Sequence, residues 1–412
     1  MHRRDNDRAR HAKAVKPAVL GTPRSPLHHS VVIIGGGPAG LSTALHVHAA
    51  APHLRTIVLE AEAYPREKIC AGAIGARAFR ILDRVGISLD VPQVRLDAIA
   101  IRIGTDYVEL RDPGLGAVVR RAEFDHALAD ATRARGIEVR DRCAVTHVAV
   151  HADHVAIETT TGDVYRARAV VGADGISGIV RRCTGFDRGE LRAQVVELDT
   201  ACVASDAPRD TAVFDLSHSD LRGYTWDFPT LVDGNPLMCR GAYAIRGGAR
   251  DSPRTRLDRH LDDRGLSLAD YRLKQFAERG WVPGAAISAP RVLLVGEAAG
   301  IDIATGEGIG QAIEYGALAG PYLARAFSRD DFGFANWRRF IARRHLGRQL
   351  AIRYACYRAF YGSRRAAMQR ILPKLPSLLR VGVADFAGRP LPLLALGRGA
   401  CQFLAALGSA GD

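Results

Sequence analysis

Gly35-Gly36-Gly37-Pro38-Ala39-Gly40 is a glycine-rich turn between a strand-like run and a helix-like run. The apolar run Val31-Val32-Ile33-Ile34 precedes it, and Leu41-Ser42-Thr43-Ala44-Leu45 follows it with helix-compatible composition. A second apolar run, residues 56–59, ends at Glu60, twenty positions past the turn. Strand, glycine turn, helix, strand and acid in this order form the dinucleotide-binding fingerprint. The stretch therefore predicts an α/β fold with a nucleotide cofactor.

Each glycine of the turn has a physical role in this fingerprint. Gly35 permits the tight turn, Gly37 lets the backbone approach a pyrophosphate, and Gly40 lets the helix pack closely on the strand. The first N–H groups of the helix and its positive dipole end attract phosphate. The acid after the second strand can accept hydrogen bonds from ribose hydroxyls. The predicted cofactor-binding residues of this region are Gly35, Gly37, Pro38, Ala39, Gly40 and Glu60.

The composition describes an ordinary globular chain. Its 412 residues are enough for two or three domains, and its contents of 47% hydrophobic and 25% charged residues are typical. The seven cysteines are scattered and include no CxxC pair, which argues against a disulfide framework or a zinc site and fits a reducing compartment. His147, His151 and His154 have spacings that do not form a metal-binding face of a strand, so no metal is predicted.

The net charge of +13 is concentrated at the two ends of the chain. Residues 333–412 carry fourteen Lys or Arg and two acids, and residues 1–29 carry seven and two. No motif that reads bases accompanies these ends, so nucleic acid is not predicted as a partner. Residues 1–29 lack the apolar block of a signal peptide and are predicted to be a disordered basic tail. No run of eighteen apolar residues predicts a membrane span, and we expect a cytoplasmic protein.

Apolar runs and turns indicate a discontinuous α/β domain interrupted by β-rich segments. Helical spacing occurs at 76–85, 124–135 and 307–327, and strand-like runs at 97–119, 145–171 and 292–295. Three longer segments are predicted to be β-rich at 190–250, helical with loops at 253–279, and helical and basic at 333–380. The predicted domains are a tail at 1–29, a cofactor-binding domain at 30–85, 118–185 and 290–330, a substrate domain at 86–117 and 186–289, and a helical C-terminal region at 331–412.

Three glycine-rich turns follow apolar runs, and each is accompanied by one carboxylate. The second and third turns are Gly172-Ala173-Asp174-Gly175 and Gly296-Glu297-Ala298-Ala299-Gly300. Ligands of open α/β sheets bind at the carboxyl ends of the strands, so the three turns are expected to share one crevice. A single nicotinamide site does not need three such turns, whereas the long FAD molecule would use them. FAD is therefore the predicted cofactor.

The three turns resemble those of FAD-dependent oxidoreductases with the hydroxylase-type fold. Within that group, the segments YPREKICAG (64–72), GYTWDFP (223–229) and TGEGI (305–309) resemble the PRxKxCGG, YxWxFP and GEGI patterns of the geranylgeranyl reductase family. The resemblance covers roughly residues 30–330. It implies a Rossmann-like FAD-binding α/β domain of the hydroxylase type, an inserted β-rich substrate domain and a helical C-terminal region.

The resemblance also implies roles for individual residues. Gly296 and Glu297 match the turn that holds the ribitol chain, Arg121 matches an arginine near the cofactor, and Asp174 matches the acid of the second turn. The TGEGI segment is expected at the N1–C2=O edge of the flavin, where a helix N-terminus stabilises the negative charge of the reduced ring. The residues predicted there are Gly306, Gly308 and Ile309.

Four positions depart from the family patterns. Glu297 stands where aspartate is usual, and Ala71 replaces the first glycine after the motif cysteine. Ala304 stands where proline is common, and Gly178 stands where the second turn usually has serine. These departures bear on the subfamily and leave the prediction of FAD unchanged.

Tyr224, Trp226 and Phe228 alternate and therefore share one face of a strand. They are predicted to cover the flavin ring and to line an apolar substrate site, with simple core filling as the alternative. Cys70 is placed beside the flavin by the resembling motif, although free cysteines are usually inert. These four residues form the predicted catalytic pocket, and no proton-transfer role is assigned to the cysteine.

Basic residues occur at two places where an anion is expected. Arg66 and Lys68 would meet the cofactor phosphates or an anionic head group, with solvated loop charges as the alternative. Residues 333–412 combine arginines with apolar side chains, as in helices that lie on anionic lipid. A peripheral membrane contact is predicted there, with ordinary packing on the FAD-binding domain as the alternative. Residues 391–407 are apolar but are interrupted by Arg398 and glycines.

The leading functional hypothesis is a flavin-dependent reductase that saturates C=C bonds of an isoprenoid or a similar small apolar molecule. NADPH or NADH is the expected transient reductant, with a protein donor as the alternative. No second Rossmann fingerprint indicates a tightly bound nicotinamide. The sequence does not indicate the substrate itself or the oligomeric state.

Three alternatives share the FAD motifs. One is an FAD-dependent monooxygenase that hydroxylates an aromatic or polyketide-like compound. Another is a flavin halogenase, whose usual Trp-x-Trp-x-Ile-Pro pattern differs from residues 224–229 of this chain. The third is a non-enzymatic, membrane-associated flavin-binding protein that has lost its chemistry.

Overall fold

A computed structural model of the chain describes residues 26–187, 191–218, 221–247, 252–362 and 365–389. Within them lie two sheets, each packed against helices. The first sheet, in spatial order, contains β15 (Ser288–Ala289), β16 (Val292–Leu294), β9 (Val164–Gly172), β1 (Leu27–Ile34), β2 (Thr56–Leu59) and β6 (Glu138–Arg140). A hairpin extends it through β9, formed by β7 (Val145–Val150) and β8 (Val155–Thr159).

The central strands of the first sheet run parallel, so the chain crosses over between them rather than turning in hairpins. Their carboxyl ends therefore lie at one edge, where all three glycine turns follow. Strand β1 begins at Leu27, so residues 27–29 of the predicted tail belong to the first sheet instead. Residues 1–25, which hold the rest of that prediction, lie outside the described residues.

The second sheet is mostly antiparallel, with one parallel pairing between β4 and β11. Its strands, in spatial order, are β14 (Lys274–Arg279), β10 (Arg192–Thr200), β13 (Asn235–Ile245), β12 (Gly223–Val232), β11 (Thr211–Asp215), β4 (Gln93–Ile103), β5 (Asp106–Val119) and β3 (Ala73–Gly75). Strand β14 corrects the prediction of helix with loops for residues 253–279, of which only Pro253–Asp262 is an α-helix. Pairing with β10 decides the conformation of β14, and such pairing is not visible locally.

The described residues contain ten α-helices. They are α1 (Pro38–Ala50), α2 (Ala76–Asp83), α3 (Arg121–Ala134), α4 (Ile179–Cys183), α5 (Pro253–Asp262), α6 (Ile309–Ser328), α7 (Trp337–Ala342), α8 (His345–Phe360), α9 (Arg365–Ile371) and α10 (Pro376–Ala387). In the part of the chain described, none is long and apolar enough to cross a membrane.

Helices α1 and α6 pack side by side and run in the same direction. The hydroxyl of Ser42 donates to the carbonyl oxygen of Ile313 at 2.8 Å. One turn further along α6, a side chain at Gly316 would reach within 2.5 Å of the Thr43 nitrogen. Glycine thus permits the close approach, and the N-termini of both helices lie at the same end of the molecule.

The C-terminal helices are integral to the fold. Trp337 of α7 is fully buried, and its indole nitrogen donates to the carbonyl oxygen of Leu294 in the first sheet at 3.1 Å. Leu346 and Leu350 of α8 belong to the same hydrophobic core. Phe360, at the end of α8, joins the separate cluster on the second sheet.

Candidate cofactor and substrate site

The three glycine turns meet in one cleft at the carboxyl ends of β1, β9 and β16. Gly35 has a φ of +107°, and a side chain there would collide with the carbonyl group of Ala173 in the second turn. A side chain at Gly296 would come within 2.5 Å of Ala39 Cβ in the first turn. The structure therefore brings together the turns that the sequence predicts to share a crevice.

The N-terminus of α1 has the features of a phosphate site. Its N-cap, Gly37, has no side-chain hydrogen bond that caps the helix among the described residues, so the first-turn N–H groups keep their capacity for an anion. A Cβ at Gly37 would stand 3.6 Å from Arg66 Nη2 and 3.9 Å from Arg121 Nη2. Backbone donors and two guanidinium groups thus face one point, which fits the pyrophosphate of FAD.

Asp125 holds both guanidinium groups in position. Arg121 donates from Nε and Nη2 to its two carboxylate oxygens at 2.8 and 2.7 Å. Arg66 Nη2 lies 3.3 Å from Asp125 Oδ2, and its buried Nε finds no partner in the described ranges. The sequence motif RAEFD contains Asp125, but no pattern predicts this bridging role.

Glu60 is fixed beside the first turn. The Gly36 nitrogen donates to Glu60 Oε2 at 2.7 Å, and the Glu62 nitrogen donates to Oε1 at 3.0 Å. Arg66 Nη2 lies 3.3 Å from Oε2. The hydroxyl of Tyr64 donates to the Gly36 carbonyl oxygen. The carboxylate is thereby oriented at the position from which the fingerprint acid accepts ribose hydroxyls.

Asp174 bonds to the backbone that follows it. Its Oδ2 accepts a hydrogen bond from the Val180 nitrogen in the first turn of α4 at 2.9 Å. Burial raises the pKa of the carboxyl to about 6. A Cβ at Gly178 would lie 2.3 Å from Asp174 Oδ1, so the carboxylate in this orientation leaves room only for glycine there. The role of Asp174 toward the cofactor stays a prediction.

Glu297 of the third turn reaches across the cleft. Its Oε1 accepts from the Arg279 nitrogen at 3.3 Å, and its Oε2 lies 3.8 Å from Lys68 Nζ. Burial raises the pKa of Glu297, while Lys68 opposes the shift. A Cβ at Gly175 in the second turn would stand 3.5 Å from Oε2. The longer side chain that replaces aspartate thus links the second turn, the third turn and the PREK segment.

The N-terminus of α6 adjoins the aromatic strand of the second sheet. Gly308 is its N-cap, with no side-chain cap in the described structure, and Ile309 is buried. Gly306 has a φ of +71°, and a Cβ there would stand 3.0 Å from the Tyr224 hydroxyl. That hydroxyl donates to the carbonyl oxygen of Thr305. The predicted flavin-edge segment and the predicted substrate face are therefore in direct contact.

Tyr224, Trp226 and Phe228 form a continuous aromatic face. The ring centroids of Tyr224 and Trp226 are 6.1 Å apart, and those of Trp226 and Phe228 are 6.3 Å apart. Tyr243, opposite Tyr224 on β13, stacks on it at 5.1 Å and donates to the carbonyl oxygen of Ile303 at 3.1 Å. Tyr243 was not predicted, because only the pairing of β12 with β13 brings it to the site.

Cys70 lies beside a buried acid. Its backbone nitrogen donates to Glu197 Oε1 at 3.0 Å, and the Gly72 nitrogen donates to its Sγ at 3.4 Å. Burial raises the pKa of the Cys70 thiol, so it is uncharged at neutral pH. Glu197 was also missed, since its position in the middle of β10 carries no motif.

Among the described residues, no group of three His, Cys, Asp or Glu side chains is suited to hold a metal ion. The rings of His151 and His154 stack at 4.5 Å, and His154 pairs with the exposed Asp153.

Comparison with known proteins relates these features to flavoproteins. A family model described as an FAD binding domain matches residues 28–221, which include the first two glycine turns. An uncharacterised protein of Methanosarcina barkeri is 27% identical over 84% of this chain and 88% of its own length. Digeranylgeranylglycerophospholipid reductase 1 of Methanococcoides burtonii is 28% identical over 74% of this chain and 76% of its length. Menaquinone reductase of Mycobacterium tuberculosis is 26% identical over 71% of this chain and 76% of its own length.

Solved structures share the fold over most of this chain. A geranylgeranyl bacteriochlorophyll reductase-like protein from Thermoplasma acidophilum superposes with a TM-score of 0.73 at 20% identity, covering 94% of this chain and 100% of that one. p-Nitrophenol 4-monooxygenase from Pseudomonas putida superposes with a TM-score of 0.65 at 20% identity, covering 88% of this chain and 98% of that one. The predicted hydroxylase-type fold and the predicted resemblance to geranylgeranyl reductases are confirmed.

Proposed function

Since this chain is an FAD-dependent oxidoreductase with the hydroxylase-type fold, we propose that it saturates C=C bonds of an isoprenoid or a similar apolar substrate. The observation that carries the proposal is the aromatic face docked on the loop before α6. Tyr224, Trp226 and Phe228 are 6%, 3% and 5% exposed and belong to a buried apolar cluster, so a substrate that contacts them would displace neighbouring apolar side chains. Such a face suits a hydrocarbon chain rather than a polar ligand.

FAD, when bound and reduced, supplies a hydride for an alkene carbon. The chain's own part is to hold the cofactor and exclude water. Arg66, Arg121 and the N-terminus of α1 would bind the pyrophosphate, and Glu60 would bind the ribose. The N-terminus of α6 would stabilise negative charge on the reduced ring. NADPH or NADH is the proposed transient reductant.

The names of the relatives support the substrate class. Two of them are reductases, one named for a geranylgeranylated phospholipid and one for menaquinone. Both alignments extend over more than two thirds of this chain, at 74% and 71%. Continuous alignments of this extent necessarily include residues 186–289, where most strands of the second sheet lie.

The second candidate is an FAD-dependent monooxygenase or a halogenase-like enzyme. The likeness to p-nitrophenol 4-monooxygenase, which covers 98% of that chain, favours it because the same cleft can support either chemistry. The aromatic face is common to both proposals, since an aromatic compound would also pack there.

Product analysis by mass spectrometry separates the two candidates. Under argon, with dithionite as reductant, the reductase should add two hydrogens per double bond to polyprenyl lipids. The monooxygenase should instead incorporate one atom of labelled oxygen into an aromatic compound with NAD(P)H and O₂. Protein stripped of FAD is the control for both reactions. An oxygenated product without alkene saturation would contradict the reductase.

We also propose a peripheral membrane contact at α8, from which a lipid substrate would enter. The end of this helix contacts the aromatic cluster through Phe360, which is followed by buried Tyr361. The side opposite the buried Leu346 and Leu350 exposes Ile352, 60% accessible, and the exposed Arg348 lies one turn before it. An apolar side chain among cations is typical of helices that bind anionic lipid. Residues 390–412, which belong to the same sequence prediction, lie outside the described residues.

A further inference from the structure

Glu197 lies on the aromatic face of the second sheet. It is opposite Gly241 of β13, which in turn is opposite Trp226 of β12. Directly opposed residues of antiparallel strands project to the same face, so the acid and the indole share this face with only a glycine between them. A side chain at Gly241 would collide with the Trp226 ring, which therefore lies over the glycine.

The carboxyl group of Glu197 is only half satisfied. The residue is 2% exposed, and Oε1 accepts the hydrogen bond from the Cys70 nitrogen at 3.0 Å. Oε2 is buried and has no hydrogen-bond partner among the residues described. A charged oxygen left unpaired in such a place is costly, whereas a protonated carboxyl costs much less. The arrangement therefore favours a proton on this group.

The surroundings of Glu197 act in both directions on its ionisation. Burial and the charge of Asp199 raise the pKa of Glu197 to about 7. The hydrogen bond from the Cys70 N–H and the charges of Lys274 and Arg120 act in the opposite direction. Asp199 is itself paired with Arg120 at 3.0 Å and with Lys274 at 3.2 Å. The other titratable or charged groups around Glu197 are Glu67, Lys68, Cys70, Arg121, Cys239 and Glu278.

Glu197 adjoins the predicted reaction site. A small cavity is lined by Cys70, Arg121 and Glu197, which links the acid to the cysteine motif and to the arginine of the cofactor cleft. The aromatic substrate face begins one strand away at Trp226. Glu197 is thus the buried acid that lies between the cofactor residues and the substrate face.

We propose that Glu197 is the general acid of this site and donates the proton that completes alkene saturation. This inference rests on the proposed reductase function. In the reaction the π bond breaks and two C–H bonds form. One carbon takes a hydride from the reduced flavin, which is left oxidised, and the other takes the proton from Glu197 Oε2. The resulting carboxylate regains a proton from water before the next turnover.

Glu197→Gln tests the proposal with two half-reactions and one spectrum. Reduction of the bound flavin by dithionite should be unchanged, whereas reoxidation by a polyprenyl alkene under argon should slow by about 10²–10⁴-fold. The wild-type reoxidation rate should fall above about pH 7, and the variant should lack this decline. A pH-difference infrared spectrum of the protein should contain a protonated carboxyl band that titrates near neutrality and is missing in the variant.

Two further variants sharpen the test. Glu278→Gln removes a half-buried acid of the same face and should keep both the infrared band and the pH dependence of reoxidation. Glu197→Asp keeps a carboxyl group but shortens the side chain by one methylene. Its flavin should be reoxidised more slowly, and the reoxidation rate should still fall above neutral pH. It also tests the proposal if the glutamine variant fails to fold.

Several outcomes would overturn the inference. Glu197→Gln with the wild-type reoxidation rate and pH dependence would remove the acid from the reaction. Loss of the infrared band in Glu278→Gln instead would assign the proton to Glu278. If the wild-type protein saturates no alkene, the proposed function fails and this role fails with it, while the infrared band still reports whether Glu197 carries a proton.

Discussion

Two residues of the cleft, Glu197 and Gly37, are suited to the site but not to the stability of the fold. Glu197 is an acid in an apolar face, and Gly37 leaves a helix N-terminus uncapped where many proteins have a serine or aspartate. Neither choice improves the stability of the chain. Both are understandable if the site must hold a proton and a pyrophosphate.

Glu197→Gln is expected to stabilise the protein at alkaline pH. The unfolded carboxyl titrates near its ordinary value, whereas burial raises the folded pKa to about 7. Between these values the folded state binds more protons, so stability falls as pH rises through this window. The free energy of unfolding of the wild type should fall by about 3 kcal/mol as Glu197 ionises, and glutamine, which does not ionise, avoids this loss.

Urea unfolding of the two proteins near pH 4 and near pH 9 measures this difference. The variant should match the wild type at the acidic pH and exceed it at the alkaline pH. Equal stability at both would show that the folded pKa of Glu197 is not raised.

Gly37→Ala should weaken FAD binding without damaging the fold. The backbone of Gly37 has φ −82° and ψ −177°, which alanine adopts, and the nearest atoms to a Cβ are two arginine side-chain nitrogens at 3.6 and 3.9 Å. The unfolding free energy should therefore change by less than about 0.5 kcal/mol. The methyl group would stand where the pyrophosphate approaches, so the Kd for FAD should rise at least about tenfold.

Gly35→Ala is the matched comparison for this prediction. Its φ of +107° and the collision with Ala173 strain the backbone, so it should destabilise the apoprotein by about 1–3 kcal/mol. Thermal unfolding and FAD titration of both variants distinguish them. A Gly37→Ala protein that binds FAD like the wild type would place the pyrophosphate elsewhere.

At the scale of elements, β12 has two faces with different tasks. Its aromatic face meets the loop before α6, while Asp227 projects to the opposite face and anchors α5. Asp227 lies 2.5 Å from Arg240 of β13, 2.5 Å from Arg264 after α5, and 3.0 Å from His260 of α5. The buried network holds the aromatic strand from behind.

Asp227→Ala is predicted to lower the free energy of unfolding by about 2–3 kcal/mol, because Arg240 and Arg264 each lose a charged hydrogen bond while Arg240 keeps its pair with Asp206. Burial opposes ionisation of Asp227, but the His260 hydrogen bond and the charges of Arg264 and Arg240 outweigh it and hold its pKa well below the usual range. Its contribution is thus complete above the unfolded pKa and is lost as pH falls below it.

Chemical denaturation of Asp227→Ala at neutral pH and near pH 3 checks both statements. Asp210→Ala, which breaks the exposed Arg111 pair, is the control and should cost at most about 1 kcal/mol. Similar losses from both variants would mean that the buried network contributes no more than a surface ion pair.

Features that depend on local sequence could be predicted, whereas features that depend on the pairing of distant strands could not. The three turns were found because glycines, a following helix and an acid are local signals. Tyr243 and Glu197 were missed because each reaches the site only through strand pairing with distant residues. The same long-range pairing made β14 a strand where local spacing favours helix and loop. Asp174 was found, but its bond to Val180 depends on a turn geometry that the motif does not specify.

At the scale of the molecule, the parallel contact of α1 and α6 brings two helix N-termini into one cleft. Among the C-terminal helices, α7 packs on the first sheet through the fully buried Trp337, and the end of α8 packs on the second sheet through Phe360. Their removal would therefore damage the fold, and a membrane contact has to be tested with single substitutions on the surface.

Ile352→Glu should weaken flotation with anionic liposomes by about tenfold, because it replaces an exposed apolar contact by a charge that the lipid repels. Arg166→Glu, an exposed reversal on β9 in the first sheet, is the control and should float more like the wild type. Equal flotation of wild type and Ile352→Glu would contradict a contact through α8.

Titration of the apoprotein with FAD, followed by the absorbance of the flavin, tests most directly whether three backbone turns build one cofactor cleft. We predict a perturbed flavin spectrum that saturates at one FAD per chain in the wild type and is weakened in Gly37→Ala. A well-folded wild-type protein that leaves the spectrum of added FAD unchanged, and releases all of it on filtration, would contradict the account.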